Sequence, residues 1–526
     1  MYMKPFSPPA LLSFCLGLGI ALVPQPSAHA AVTIVPLGTY ATGVFDEGAQ
    51  EIAAHDPGTQ RLFVVNANAS TVDVLDISDP SSPTLIDTLD LTSVGNSANS
   101  VAIYNGVAAV AVQAEEKTDP GSVAFFDTET LDLLNVVPAG ALPDMVTFSP
   151  DGHYVLVANE GEPDDDYAID PEGSVSVIDV SAGIENATVS TAGFAAFNGQ
   201  PLPGVRIFGP GASVAQDLEP EYIAVSADSA TAWVTLQENN ALGVIDIASA
   251  TVTAIVPLGY KDHSLPGNGL DASNEDDAIN IVPWPVMGMY LPDAIVAYEV
   301  DGHTYLITAN EGDTRDYDGF SEETRVADAK IDWQFIRPDE WKKLLKEENL
   351  GRLLTTTAGG TIDGDKRKDM VLGVGARSFT IWDAATGAVV HDSGDEIEQV
   401  TAATHPDHFN ASNTSNSFDN RSDDKGPEPE GVTIGEAFGI TLAFIGLERM
   451  GGVMIYDVSN PGAPVLQDYV NNRNFDADPE TPEAGDLGPE GLVFISASDS
   501  PIGEPLLVVA NEISGTTTVY QVKQAE

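Results

Sequence analysis

The chain is 526 residues long and sets 80 acidic side chains against 22 Lys and Arg, a formal net charge of -58. A field of that sign repels nucleic acid and anionic membrane surfaces and favours cations and high-salt media. Most of these carboxylates read as a solubilising, salt-adapted surface. Apolar residues make up 43% of the chain and run throughout it as strands, which excludes a disordered acidic tail.

The N-terminus reads as a secretory signal ending near Ala30. Lys4 supplies a basic start, Leu11 to Val23 an apolar core, and Ala28-His29-Ala30 a small-residue cleavage site. The apolar stretch is too short for a membrane span, and no later segment is long and apolar enough for one. Cys15 lies inside the apolar core behind Phe14, which does not suit a lipoprotein signal. Cleavage would remove the only cysteine and with it any disulfide or thiolate chemistry. The C-terminal residues through Glu526 carry no sorting tail, so the expected product is secreted, periplasmic or extracellular, and soluble.

Past the signal, one unit repeats seven times. Apolar second strands begin at Leu62, Val107, Tyr154, Ala232, Tyr305, Leu442 and Leu506. Third strands close at Asp76, Asp127, Asp179, Asp246, Asp383, Asp457 and Gln521. Short strands at regular spacing, separated by Gly, Pro, Asp and Asn, are the pattern of a β-propeller. Ser149-Pro-Asp-Gly152 reads as a hairpin turn between two of them. Val32 to Gly38 resembles Val252 to Gly259, the outer strand of the fourth unit, while the last unit has no outer strand of its own. The expectation is an all-β, seven-bladed propeller whose N-terminal strand closes the last blade and leaves no frayed edge.

The domain plan is therefore one propeller over 31–526, with insertions near 261–291, 313–368 and 392–425. The second insertion predicts one short helix over Asp339 to Asn349, with Trp341, Leu344 and Leu345 on one side and Gly351 as its stop. Long insertions of this kind cap one face of a propeller and tend to carry function.

Each unit opens on a polar residue at an equivalent place: Glu51, Asn99, Asp144, Glu221, Asp293, Glu430 and Glu490. Six of these seven are carboxylates, commonly behind proline. First strands of a propeller line its central channel, so the set would form one ring. Like charges that close raise one another's pKa unless a cation sits among them. A second set closes the second strands: Glu160, Glu238, Glu311 with Asp313, Glu448 and Glu512, with Asn68 and Glu115 as looser matches. Carboxylate and amide oxygens suit Ca²⁺ or another hard cation such as Mg²⁺, whereas no Cys or paired-His spacing invites zinc. The alternative for each residue is a hydrogen bond to a neighbouring turn.

Other acidic loops signal less. Asp363-Gly-Asp365 departs from the EF-hand pattern because Lys366 to Lys368 follow it. Asp164 to Asp166 and Asp271 to Asp277 read as solvated turns, and His405 and His408 lie three apart in a Pro-broken loop. The scarce cations Arg315, Arg377, Arg449 and Lys425 stand near the acidic elements. There they would clamp a phosphate or carboxylate, or balance charge in ion pairs. No G-x-S-x-G element, P-loop or dinucleotide fingerprint is present.

Long motifs carry a family resemblance: Asn310 to Tyr317, Lys425 to Val432, and Phe444 to Arg449 with Gly451 to Asp457. Lys261 to Leu265, Leu270 to Ser273 and Ala376 to Phe379 add to it. In these the chain resembles the choice-of-anchor I family, which takes in the mesenchyme-specific cell-surface glycoproteins of sea-urchin skeleton-forming cells. The resemblance covers the mature chain and implies an exported propeller, a link to calcium-carbonate biomineralisation and, through some bacterial relatives, an alkaline-phosphatase label. It implies no catalytic set.

Two functions follow as expectations. The first is a secreted module for extracellular binding or surface interaction, holding Ca²⁺ or a similar cation at Asp144, Glu160, Glu221, Asp293, Glu311, Asp313, Glu430, Glu448, Glu490 and Glu512. Its partners would be divalent cations and extracellular matrix or surface components. The second is a metal-dependent phosphoesterase acting on phosphate esters, with Arg315, Arg377, Arg449 and Lys425 as catalytic candidates. If the arginines converge on the metal the second is favoured; if they face their neighbours it is not.

Overall fold

The computed structural model describes residues 30–332, 338–361 and 367–525. The signal segment with Lys4 and Cys15, and the Asp363-Gly-Asp365 turn, lie outside the described residues.

Among the described residues, seven four-stranded antiparallel sheets follow one another along the chain. Their first strands are Ala53–Asp56, Ser97–Tyr104, Pro143–Phe148, Pro220–Val225, Ile295–Val300, Pro429–Ala437 and Pro489–Ile495. Each touches the first strand of the next sheet, and Pro489–Ile495 touches Ala53–Asp56. This is an all-β, propeller-type array.

The second strands are apolar on both faces because each sheet is packed on both. Ala108 and Val110 of the second sheet meet Phe63, Val65 and Val74 of the first. Their neighbours Ala109 and Ala111 point the other way, onto Val155 and Val157 of the third. A period of two with both sides buried gives the unbroken apolar runs of the sequence. Each fully buried Val, Leu or Phe contributes roughly 1.5–3 kcal/mol.

The N-terminal strand Val32–Ala41 lies antiparallel along Thr516–Gln524, in register from Val32 opposite Gln524 to Ala41 opposite Thr516. It thus occupies the outer place of the seventh sheet, as Thr251–Pro257 does in the fourth. The register slips between Pro36 and Gly38. A Cβ at Gly38 would stand 2.5 Å from the backbone of Ser81, so this close approach admits only glycine.

The first two insertions do not stay separate. Tyr260–Asp262, Val286–Met289, Glu323–Arg325, Leu354–Thr356 and Val371–Gly373 join in one five-stranded sheet. Val286–Met289 runs parallel to Val371–Gly373 within it. Its own core gathers Trp284, Val286, Trp341 and Val371, with Leu344 and Leu345 against it. The expected helix is present but shorter, Pro338–Leu344, and the chain turns before reaching Asn349. A second helix, Glu396–Thr404, was not foreseen in the third insertion; it buries Ile397 and Thr401, but it is otherwise too polar to show a helical stripe. The acidic stretch from Asp271 is not a wholly solvated turn, because Asp271 itself is fully buried.

Candidate functional site

The inner carboxylates owe their aim to a local irregularity. In four sheets the first strand opens on proline, and the register slips over the next residues: Pro143/Val146, Pro220/Ile223, Pro429/Val432 and Pro489/Leu492. Proline offers no N–H to the ladder, and a bulge re-aims the side chain it carries. The bulged residues are Asp144, Glu221, Glu430 and Glu490. The seven first-strand positions line two cavities that meet at Asp144, Asp293 and Glu490. One, of about 350 Å³, holds Glu51, Asn99 and Tyr222; the other, of about 470 Å³, holds Glu221 and Glu430.

The ends of the second strands crown the larger cavity. In the recurring Asn-Glu pair the two residues divide the work. Asn310 Nδ2 donates to Thr380 Oγ1 at 2.8 Å, and Asn159 Nδ2 to Ser176 Oγ at 3.0 Å, tying the second strand to the third. The following glutamates, Glu160, Glu311 and Glu512, are left to line the mouth with Glu238 and Glu448. The looser matches Asn68 and Glu115 line neither cavity.

Thirteen carboxylates and two cations line this mouth, and its electrostatics follow. Burial first, and then repulsion from Glu448 and Glu490, hold the Glu430 carboxyl well above the carboxylate range. Burial and the Glu512 charge push Glu490 up likewise. Burial raises Asp144 to about 7 and Glu238 to about 8. Burial and Glu512 raise Glu51 to about 8. Glu430 Oε2 and Glu238 Oε2 are buried and accept no hydrogen bond. The donor set, all oxygen with unsatisfied lone pairs, fits a hard divalent cation.

Internal cations answer part of this charge. Lys425 Nζ bonds Glu311 and lies 3.0 Å from Glu428 Oε2. Arg449 reaches Glu428 at 3.1 Å and Glu448 at 2.8 Å. Arg421 adds a bond of 2.6 Å to Glu428. Although burial would raise it, Lys425, Arg421 and Arg449 hold the Glu428 carboxyl down at about 2. Oxygens of Glu311, Glu428 and Glu448 come within 4.8 Å of one another, yet this trio is already served by an ammonium and two guanidinium groups.

Two of the four catalytic candidates are elsewhere. Arg315 is fully buried between Asp217 and Glu219, with Phe208 stacked on its guanidinium at 4.6 Å. Arg206 covers the same ring at 4.3 Å. Arg377 bonds Glu398 at 2.7 Å and the carbonyls of Asp271, Ser422 and Asp424. Neither lines the axial cavities; Lys425 and Arg449 do. Arg377 serves insertion-loop carbonyls that need a donor, and Arg315 ties its insertion to Asp217 and Glu219 ahead of the fourth sheet, demands invisible along the chain. The sequence reading also passed over Glu428, Glu162 and Asp46. Glu428 could have been found, since it is the other carboxylate of Pro427-Glu-Pro-Glu430.

The chain is similar in sequence to two curated proteins. Gigasin-3a of Magallana gigas is 27% identical over 205 residues, 36% of this chain and 70% of that protein. The mesenchyme-specific cell surface glycoprotein of Strongylocentrotus purpuratus is 28% identical over 309 residues, 52% of this chain. The chain spans only 38% of that second relative's length. Among solved structures, Kuenenia stuttgartiensis hydrazine synthase aligns with TM-score 0.48 and 15% identity, covering 92% of this chain and 100% of that one. The WD40 domain of Toxoplasma gondii coronin aligns at 0.46 and 8%, covering 95% and 89%. The choice-of-anchor I domain matches residues 51–461, and the chain belongs to that family.

Proposed function

We propose that the protein is an extracellular surface module on a seven-bladed propeller, and that its axial mouth binds Ca²⁺ or a similar hard cation. The carrying observation is the inner ring: carboxylates aimed inward from six first strands, crowned by glutamates, with Lys425 and Arg449 the only cations among them in the described residues. A divalent cation relieves the repulsion that otherwise keeps these groups protonated. Protein ligands would come from Glu430, Glu490, Asp293, Glu221 and Asp144, with Glu238 and Glu160 at the rim. Ca²⁺ takes six to eight oxygens in flexible geometry, which a ring of independent strands supplies more readily than the strict octahedron of Mg²⁺. The cell-surface name of the sea-urchin relative supports the extracellular setting, where matrix or surface components are the partners. No helix among the described residues is long and apolar enough to cross a membrane. With Arg315 and Arg377 held in ion pairs of their own, no geometry favours phosphoryl transfer.

Isothermal titration of chelated, purified protein with Ca²⁺ and Mg²⁺ tests this, with p-nitrophenyl phosphate turnover followed alongside. The expected result is calcium binding that Glu430→Gln weakens by roughly 10–100-fold, without turnover. Calcium binding unchanged in Glu430→Gln and in Glu490→Gln would overturn the axial site. Chelator-sensitive turnover would restore the phosphoesterase.

A further inference from the structure

A second group of buried oxygens lies away from the channel, between the loop that starts at Asp271 and the loop from Asn410 to Asp423. Asp271, Asn410 and Ser422 are fully buried and Asp419 is 2% exposed. One hydrogen-bond network joins them, Asp271 through its backbone N–H, while its carboxylate accepts the N–H of Asn280 at 2.6 Å and of Ser273 at 3.4 Å. Glu398 Oε2 accepts the Asp271 N–H at 3.1 Å, and Asn410 Nδ2 donates to Glu398 Oε1 at 3.1 Å and to Ser422 Oγ at 2.9 Å. Ser422 Oγ in turn donates to Asp419 Oδ1.

Charge and hydrogen bonding do not close within this network. Glu398 is neutralised by Arg377 at 2.7 Å. Asp271 and Asp419 have no cationic partner among the ion pairs of the described residues. Two oxygens have no hydrogen-bond partner among the described residues, Asp419 Oδ2 and Asn410 Oδ1. An unpaired buried carboxylate oxygen and amide oxygen cost about 1–3 kcal/mol each.

We propose that Asp271, Asp419 and Asn410 Oδ1 form a second, structural site for a divalent hard cation, Ca²⁺ by its oxygen donors, that pins the first insertion to the third. The ion balances the two carboxylates and takes the open lone pairs of Asp419 Oδ2 and Asn410 Oδ1. Arg377 and Glu398 orient the donors from behind, as groups outside a metal's ligand shell commonly do. The site is distinct from the axial mouth, and neither depends on the other being real.

Trp284 makes the site separately observable, because its Nε1 donates to the carbonyl of Leu270, next to Asp271, at 3.0 Å. Among the described residues, no tryptophan lines the axial mouth. Chelated protein is titrated with Tb³⁺ while emission is excited through indole, and Ca²⁺ is then added as competitor. The expected outcome is sensitised emission that Ca²⁺ displaces. It should survive in Glu430→Gln, fall in Trp284→Phe, and need roughly 10–100-fold more Tb³⁺ in Asp419→Asn. Circular dichroism of Asp419→Asn separates a lost ligand from a lost fold. Emission absent from the wild type, or unchanged in Asp419→Asn, overturns the proposal. If the axial site alone fails, emission stays while Glu430→Gln leaves calcium binding intact.

Discussion

Replacing Glu428 with Gln keeps the side chain's shape and removes the one charge that three cations share. Glu428 is fully buried between two prolines and held at a left-handed φ of 54°, which a non-glycine residue seldom adopts. Its Oε1 accepts from Arg421 at 2.6 and 3.0 Å, and its Oε2 from Arg449 at 3.1 Å, with Lys425 3.0 Å away. Folding lowers its pKa from 4.5 to about 2. At about 1.4 kcal/mol per pKa unit, the ionised group contributes about 3 kcal/mol. A depressed carboxylate stabilises fully above its unfolded pKa and loses that contribution as pH falls through the folded value. The gain is therefore complete at pH 7 and vanishes only below about pH 2. The neutral amide also leaves Lys425, Arg421 and Arg449 without their shared counter-charge, and breaking buried pairs costs about 3–5 kcal/mol. Guanidinium unfolding at pH 7, followed by tryptophan fluorescence, should show Glu428→Gln less stable by about 3 kcal/mol or more. A loss under about 1 kcal/mol would refute the reasoning, because the cluster would then be screened as a surface network is.

The mouth carries the opposite pH sign. Asp144, Glu51, Glu238 and Glu512 are raised to about 7 or 8, so the folded state holds more protons and stability falls as pH rises from about 5 to 8. Melting curves in chelator should show this decline and Ca²⁺ should reverse it; a flat profile in chelator would contradict the burial of the ring. The N-terminal strand is the third test. Val32 and Ile34 pack against Leu442, Phe444 and Tyr520, so a variant lacking Val32–Ala41 loses roughly 1.5–3 kcal/mol per apolar side chain. It also bares the edge of Thr516–Gln524. Light scattering should find it aggregating below the wild-type melting temperature, and a soluble variant of unchanged stability would show that closure does not depend on this strand.

Repetition is written locally, and what is local was legible. Strands such as Leu62–Val65 and Leu506–Val509 declare themselves because each must be apolar on both faces, and the Pro-acid starts because in four sheets the same bulge follows them. Val32 to Gly38 could be placed as an outer strand because it repeats Val252 to Gly259, and it does occupy that position. Of the ten acidic residues singled out for a metal, all ten line the larger axial cavity.

The cations were another matter. Arg315 follows an acidic motif and Arg377 opens a strand, yet they face Asp217 and Glu398, which lie 98 and 21 residues away. Lys425 enters the mouth by reaching Glu311, 114 residues distant. Asp271 looked like one more solvated acid until the third insertion folded over it. A side chain's periodicity is set by its own strand and can be read from sequence. Its charge partner is set by which loops cross in space, and loop crossings leave no period in the chain; only the tertiary structure decides them.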